Sequence, residues 1–131
     1  MTPEEIVREY LLAMEARDFM RARSLLAADF RMCFPGGRTF DSLEALAAWA
    51  AGRYRHVRKR FDGFDTVPLA AGESGHAVVY CRGVMDGEAL DGTAIEAVRF
   101  IDRFEVRDGR LIDQQVWNDL AEHGLVAAAD L

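Results

Sequence analysis

The strongest constraint on the fold is a change of hydrophobic period near residue 60. Before that point apolar residues recur three and four positions apart, as on one face of a helix. After it they alternate with polar residues, as along a strand with one buried face. Helices followed by antiparallel strands predict an α+β domain, with the helices packed on one face of a curved sheet.

Three helices are predicted in the first part of the chain. The first begins in the capping box Thr2-Pro3-Glu4-Glu5, which has Pro at the first helical position. Asp18 and Ser42 are the expected N-caps of the other two. Between these caps an extended segment, Phe30 to Phe34, ends at the breaker Pro35-Gly36-Gly37.

Four strands are predicted after the helices, and turn residues separate them. The clearest turn is Asp108-Gly109, because both residues tolerate the positive φ of a two-residue hairpin. Other turns are expected at residues 71–75 and 86–92. The predicted strands are Arg60–Pro68, His76–Met85, Thr93–Val106 and Arg110–Asn118.

Length and charge exclude several classes of protein. The 131 residues predict one domain, 1–131, with a tail at 120–131 that is a short helix or an arm. The net charge of −6 argues against broad nucleic-acid binding. The sequence has no apolar run long enough for a membrane helix and no signal peptide, so we expect no membrane partner and a cytoplasmic location. Cys33 and Cys81 are isolated, which predicts neither disulfide nor metal site.

One local segment departs from the acidic balance. The basic run Arg53–Arg60 is interpreted as a solvated helix end, where cations complement the helix dipole. Attraction of an anionic ligand or of RNA to this run is the alternative. His56, within the run, is a weak candidate for a general base.

The order of elements, the helix end Tyr10–Asp18 and the hairpin Phe100–Ile112 resemble the nuclear transport factor 2-like (NTF2-like) superfamily. Within it the chain resembles small bacterial SnoaL-like or ketosteroid-isomerase-like proteins, from residue 4 to about 119. The resemblance implies a cystatin-like α+β barrel. This is a cone in which a curved antiparallel (mixed) sheet wraps around three N-terminal helices, open at one end to an apolar pocket and usually dimeric.

The resemblance also implies site residues. Tyr10 and Asp102 fall where the isomerases carry their oxyanion-binding Tyr and protonated Asp. The position of the isomerases' catalytic base, before Pro35, is Phe34 in this chain. Because a phenyl ring cannot abstract a proton, the steroid-isomerase mechanism is not expected here, and the base is left unassigned.

Strand alternation gives Asp102 independent support. It places Asp102 on the face that carries Phe100 and Phe104, together with Glu96, Val98 and Val106. Burial among rings disfavours a charged carboxylate, which predicts a proton donor. The alternative is a structural Asp that bonds Tyr10 or an Arg. For Tyr10 the alternative is a core side chain with its hydroxyl bonded inside the protein.

The remaining pocket residues follow from alternation and from the resemblance. The last strand carries Ile112, Gln114, Val116 and Asn118 on one face, which the resemblance points inward, and a register shift of one would expose both amides. By the same mapping, the other expected wall residues are Met14, Phe34, Val79, Cys81 and Phe100.

Two functions are therefore open. The first is a protein that binds a small apolar molecule bearing a carbonyl or hydroxyl group, as a cofactor-free isomerase, cyclase or dehydratase using Tyr10 and Asp102. The second is a non-catalytic ligand-binding or dimerisation module, favoured by Phe34 at the base position. A hydrolase or dehydratase with Asp102 as its sole acid–base group is a third hypothesis. The expected homodimer uses the outer face of the sheet, which carries Arg99, Ile101, Arg103, Glu105 and Trp117.

Overall fold

The computed structural model describes residues 1–69 and 75–126, and in these residues three helices pack against a six-stranded sheet. The helices are α1 (Pro3–Glu15), α2 (Phe19–Ser24) and α3 (Leu43–Ala51). The strands are β1 (Leu26–Phe34), β2 (Arg38–Phe40), β3 (Tyr54–Pro68), β4 (Ala77–Ala89), β5 (Ala94–Arg107) and β6 (Arg110–Asn118).

The sheet is mixed, with the strand order β2-β1-β6-β5-β4-β3. β1 and β6 run parallel, and every other neighbouring pair is antiparallel. The predicted α+β class and the cone-shaped arrangement of a curved sheet around helices are confirmed. None of the helices in the described ranges is long and apolar enough to span a bilayer.

The predicted helix starts are confirmed. Thr2 accepts a hydrogen bond from the Glu5 amide, and the Glu5 carboxylate accepts one from the Thr2 amide, which completes the capping box. The Asp18 and Ser42 side chains cap α2 and α3. α2 is short: it ends at Ser24, and Leu26 already belongs to β1.

The basic run was wrongly interpreted as a helix end. Tyr54 opens β3, a strand of 15 residues, and pairs with Ala89 of β4. β4 therefore continues to Ala89, into the segment 86–92 where a turn was predicted. The chain reverses direction at residues 90–93. Because β3 is a strand, its side chains alternate: Val57, Lys59 and Phe61 are partly buried, while Arg58 and Arg60 are exposed.

Two glycines allow β4 to bend where it follows β3. A Cβ at Gly83 would lie 1.9 Å from the Arg60 carbonyl oxygen, and one at Gly87 would lie 2.1 Å from that of His56. Both glycines stand beside register shifts between neighbouring strands. Close backbone approach at bulges is the usual reason for Gly inside a strand, and it produces the curvature that the cavity requires.

The hairpin between β5 and β6 is as predicted. Asp108 and Gly109 both have positive φ, 52° and 76°, as a two-residue turn of this type requires. At the other end of β5, Ala97 has a φ of 49° next to a register shift. This irregularity reverses the expected orientation of Glu96, which is exposed, while Ile95 is buried.

Two predicted segments fall partly outside the described residues. The turn at 71–75 is described only at Gly75, and the tail only as far as residue 126. Residues 119–126 form turns and bends. Leu120 within them is buried against the core.

Candidate functional site

A cavity of about 170 Å³ lies between α1, α3 and the concave face of the sheet. Most of the predicted site residues contribute to its wall. Those that line it are Tyr10, Met14, Phe34, His56, Phe100, Asp102, Gln114, Val116 and Asn118. The register of β6 is thus the one expected, because Gln114 and Val116 are buried on its inward face.

Two predicted wall residues, Val79 and Cys81, do not line the cavity. Both are fully buried in the core, where they pair with Phe104 and Asp102 across β4 and β5. Burial, followed by the neighbouring Asp102 carboxylate, raises the pKa of the Cys81 thiol to about 12. Cys81 therefore stays protonated at neutral pH and behaves as a small apolar residue.

The central feature of the site is an ion pair that the sequence analysis did not anticipate. The Lys59 Nζ lies 2.7 Å from the Asp102 Oδ2. The Asp102 side chain is completely buried, and that of Lys59 is 19% exposed. The ammonium also lies 4.9 Å from the centre of the Phe100 ring, within the range of a cation–π contact.

The charge on Lys59 is retained despite its burial. Desolvation is the largest single effect, and it lowers the pKa of Lys59. The Asp102 carboxylate, the hydrogen bond to it, Cys81 and Tyr54 all raise this pKa, and their combined effect is larger than that of desolvation. The net pKa lies above the usual lysine value. Lys59 is therefore an ammonium at neutral pH, not a free amine nucleophile.

The hydrogen bond between Tyr10 and Asp102, which was part of the structural alternative, is not formed. The Tyr10 hydroxyl is buried and has no hydrogen-bond partner among the described residues. Its ring packs edge-on against Phe104, with ring centres 5.9 Å apart, and against Phe30 at 6.1 Å. Burial raises the pKa of Tyr10, and the Asp102 charge raises it further, so the hydroxyl keeps its proton and can donate it in a hydrogen bond.

Four cavity-lining side chains carry a buried polar atom with no hydrogen-bond partner among the described residues: Tyr10 Oη, Trp49 Nε1, Asp102 Oδ1 and Gln114 Oε1. Such atoms are rare in folded proteins, because each one loses its hydration without replacement. Here all four belong to side chains that line one cavity. A bound molecule with matching donors and acceptors would satisfy them.

One part of the wall is backed by an aromatic cluster around Trp49. Phe34, at the position of the absent base, packs edge-on against Trp49 with ring centres 5.5 Å apart. Phe40 lies 5.2 Å from the same indole, and the Arg53 guanidinium covers it at 4.3 Å. His56 lines the cavity but is exposed, on the same strand as Lys59.

Sequence reasoning missed Lys59 because it treated the basic run as a helix. A signal was present: Lys59 is the only lysine in the chain, and it alternates with the apolar residues Val57 and Phe61. A cation on the apolar face of a strand is unusual and predicts a buried partner. Tyr54 was missed for the same reason; it lines the cavity, and burial raises its pKa.

Comparison with known proteins identifies related folds. The family model described as the SnoaL-like domain matches residues 7–114. No protein with a curated description matches the sequence. Among the described residues, no three His, Cys, Asp or Glu side chains are grouped so that they could hold a metal ion.

Solved structures agree along almost the whole chain. An NTF2-like protein of unknown function from Burkholderia pseudomallei is 22% identical, with a TM-score of 0.75 over 96% of this chain and 98% of that one. TerC, crystallised with polyporic acid, is 19% identical, with a TM-score of 0.72 over 94% and 96%. IdmH, a candidate polyketide cyclase from Streptomyces antibioticus, is 20% identical, with a TM-score of 0.67 over 95% and 99%.

Proposed function

Since the chain belongs to the SnoaL-like domain family, we propose that its cavity binds a small, largely apolar molecule bearing hydroxyl or carbonyl oxygens, and that Asp102 exchanges a proton with this molecule. The observation that carries the proposal is that four side chains lining one cavity each hold a buried polar atom with no hydrogen-bond partner among the described residues. A few polar groups among hydrophobic walls are typical of small-molecule sites. TerC, which was crystallised with polyporic acid, and the candidate cyclase IdmH support the same class of ligand.

The ion pair favours a different role for Asp102 from the one expected. Asp102 Oδ2 accepts a hydrogen bond from an ammonium, and Oδ1 is free to accept a proton. Asp102 would therefore act first as a base, removing a proton from a carbon next to a carbonyl of the ligand. The electron pair of the broken C–H bond moves onto the carbonyl oxygen, where the Tyr10 hydroxyl can donate a hydrogen bond. Where the ligand also carries a C=C bond conjugated with this enolate, return of the proton to the far carbon of that bond shifts the double bond and completes an isomerisation.

A non-catalytic binding module is the second candidate. Phe34 at the base position favours it, because this phenyl ring packs against Phe40 and Trp49 and cannot take up a proton. The two candidates share the ligand and differ only in turnover. Asp102 would then bind a ligand hydroxyl through Oδ1 without proton transfer.

Binding and turnover can be separated with a panel of hydroxylated naphthalenes, naphthoquinones, aromatic polyketide fragments and a steroid enone. We expect a raised melting temperature with at least one compound. Exchange of its carbon-bound protons with deuterated solvent, measured by NMR, tests turnover. Asp102→Asn should abolish the exchange, whereas Asp65→Asn, an exposed carboxylate outside the cavity, should leave it unchanged.

The outcomes of this experiment are distinct. Binding without exchange supports the module, and no binding across the panel contradicts the proposed function. Because Asp102→Asn leaves Lys59 without its partner, the double variant Asp102→Asn/Lys59→Met removes both charges together. It should also lack exchange.

We also propose a homodimer through the outer face of the sheet. On that face Trp117 is 52% exposed and stands opposite Ile101, which is 36% exposed. Arg103 lies beside them, close to both Glu105 and Asp113. Apolar residues flanked by charges of both signs suit a self-complementary interface. Light scattering should give twice the chain mass, and Trp117→Glu should halve it.

A further inference from the structure

The Lys59–Asp102 pair presents a donor and an acceptor side by side. An ammonium has three protons, and one of them is donated to Asp102 Oδ2. Phe100 covers another side of the ammonium. The side chain remains 19% exposed and lines the cavity, so a further proton is available to a ligand.

The acceptor is the other oxygen of the same carboxylate. Asp102 Oδ1 is buried and has no hydrogen-bond partner among the described residues. It belongs to a side chain that lines the cavity. Because Oδ1 and Oδ2 share one carbon, the available Lys59 proton and Oδ1 are neighbouring sites. A carbonyl oxygen can satisfy only the donor, and a single hydroxyl would have to accept from Lys59 and donate to Oδ1 at once, whereas two adjacent oxygens give each group its own partner.

We propose that this pair selects ligands with oxygens on adjacent carbons, such as a catechol or an α-hydroxyketone. One oxygen accepts from Lys59 Nζ, and the neighbouring hydroxyl donates to Asp102 Oδ1. This inference rests on the proposed function, since it names the class of ligand for the same cavity. Lys59 would then be a binding residue in its own right, in addition to holding Asp102.

The size of the cavity limits the carbon skeleton. A buried cavity of roughly 150 Å³ accommodates benzene in another protein. The cavity here, at about 170 Å³, is slightly larger. Its aromatic wall, including Trp49 and Phe34, suits a flat ring. We therefore expect a skeleton of one or two rings.

Two isomers of dihydroxynaphthalene test the inference. The 2,3-isomer carries its hydroxyls on adjacent carbons and the 2,6-isomer at opposite ends, but both have the same formula and nearly the same apolar surface. Isothermal titration of the wild-type protein should show binding of the 2,3-isomer about tenfold tighter or more, because only that isomer offers a separate oxygen to each of the two charged groups.

Lys59→Met should remove this preference, while Arg60→Met, the exposed neighbour paired with Asp86, should keep it. If Lys59→Met does not fold, the double variant Lys59→Met/Asp102→Asn takes its place with the same expectation. Equal affinity of the wild type for both isomers, or a preference that survives loss of Lys59, would overturn the inference but leave the proposed function standing. If neither isomer binds the wild type, the inference fails, and no binding across the panel would remove the proposed function as well.

Discussion

At the scale of single residues, the site consists of polar atoms placed in an apolar cavity at a cost in stability. The Tyr10 hydroxyl shows this most clearly. Its ring packs against Phe30 and Phe104, and the hydroxyl is buried with no hydrogen-bond partner in the described part of the chain. A hydroxyl that serves only the fold would be hydrogen-bonded. Its position is explained if it binds a ligand.

Replacement of Tyr10 by Phe separates stability from binding. We expect the free energy of unfolding of Tyr10→Phe to stay the same or rise by about 1 kcal/mol, because an unpartnered polar group is removed without leaving a cavity. Ligand affinity should fall. Urea unfolding at pH 7 and titration with the panel compound that binds best measure the two effects. A large loss of stability would instead indicate a structural hydroxyl.

At the scale of elements, strand β3 decides the site. Its first half carries Tyr54, His56 and Lys59 to the cavity, and it does so only because the chain is extended there. β4 follows it with glycines at two points where the backbones of the two strands approach closely. The curvature of this strand pair therefore positions both Lys59 and its partner on β5.

Gly83→Ala should damage this pair of strands. Its Cβ would meet the Arg60 carbonyl, so we expect a loss of about 1–3 kcal/mol or more in the free energy of unfolding. The matched control is Gly52→Ala at the end of α3, where φ is negative and the nearest atom is 3.6 Å away. That control should be nearly neutral in the same thermal or urea unfolding measurement. Equal effects of both substitutions would contradict the bulge interpretation.

The helices, the Asp108-Gly109 hairpin and the inward face of β6 could be predicted, because caps, turn residues and alternation are local signals. The interior of the site could not be predicted in the same way. The partner of Asp102 lies 43 residues away along the chain, and strand pairing alone brings Lys59 to it. Similarly, the prediction that Glu96 points inward was wrong, because the bulge at Ala97 has no signature in the sequence.

At the scale of the whole molecule, the buried groups around the cavity share one electrostatic property. The pKa values of Lys59, Tyr10, Tyr54 and Cys81 are all raised. A raised pKa contributes stability below the unfolded-state value and loses it as the pH rises toward the folded-state value. The unfolded values begin at 9.0 for Cys81 and reach 10.5 for Lys59. The molecule is therefore expected to be sensitive to alkali.

The contribution of these groups to the free energy of unfolding should be constant up to about pH 9 and should decline above it, through pH 12. Tyr10→Phe should make this decline shallower above pH 10, because one ionising group is removed. Urea titrations at a series of pH values measure both curves. Parallel curves for the two proteins would contradict the assignment of Tyr10.

The central claim is that the cavity around Asp102 is a small-molecule site, and a crystal structure with the tightest-binding panel compound tests it most directly. The account predicts the compound between Trp49 and the sheet, with an oxygen within hydrogen-bond distance of Asp102 Oδ1 or Lys59 Nζ. A compound bound on the outer surface, or a cavity filled by the protein's own side chains, would contradict it.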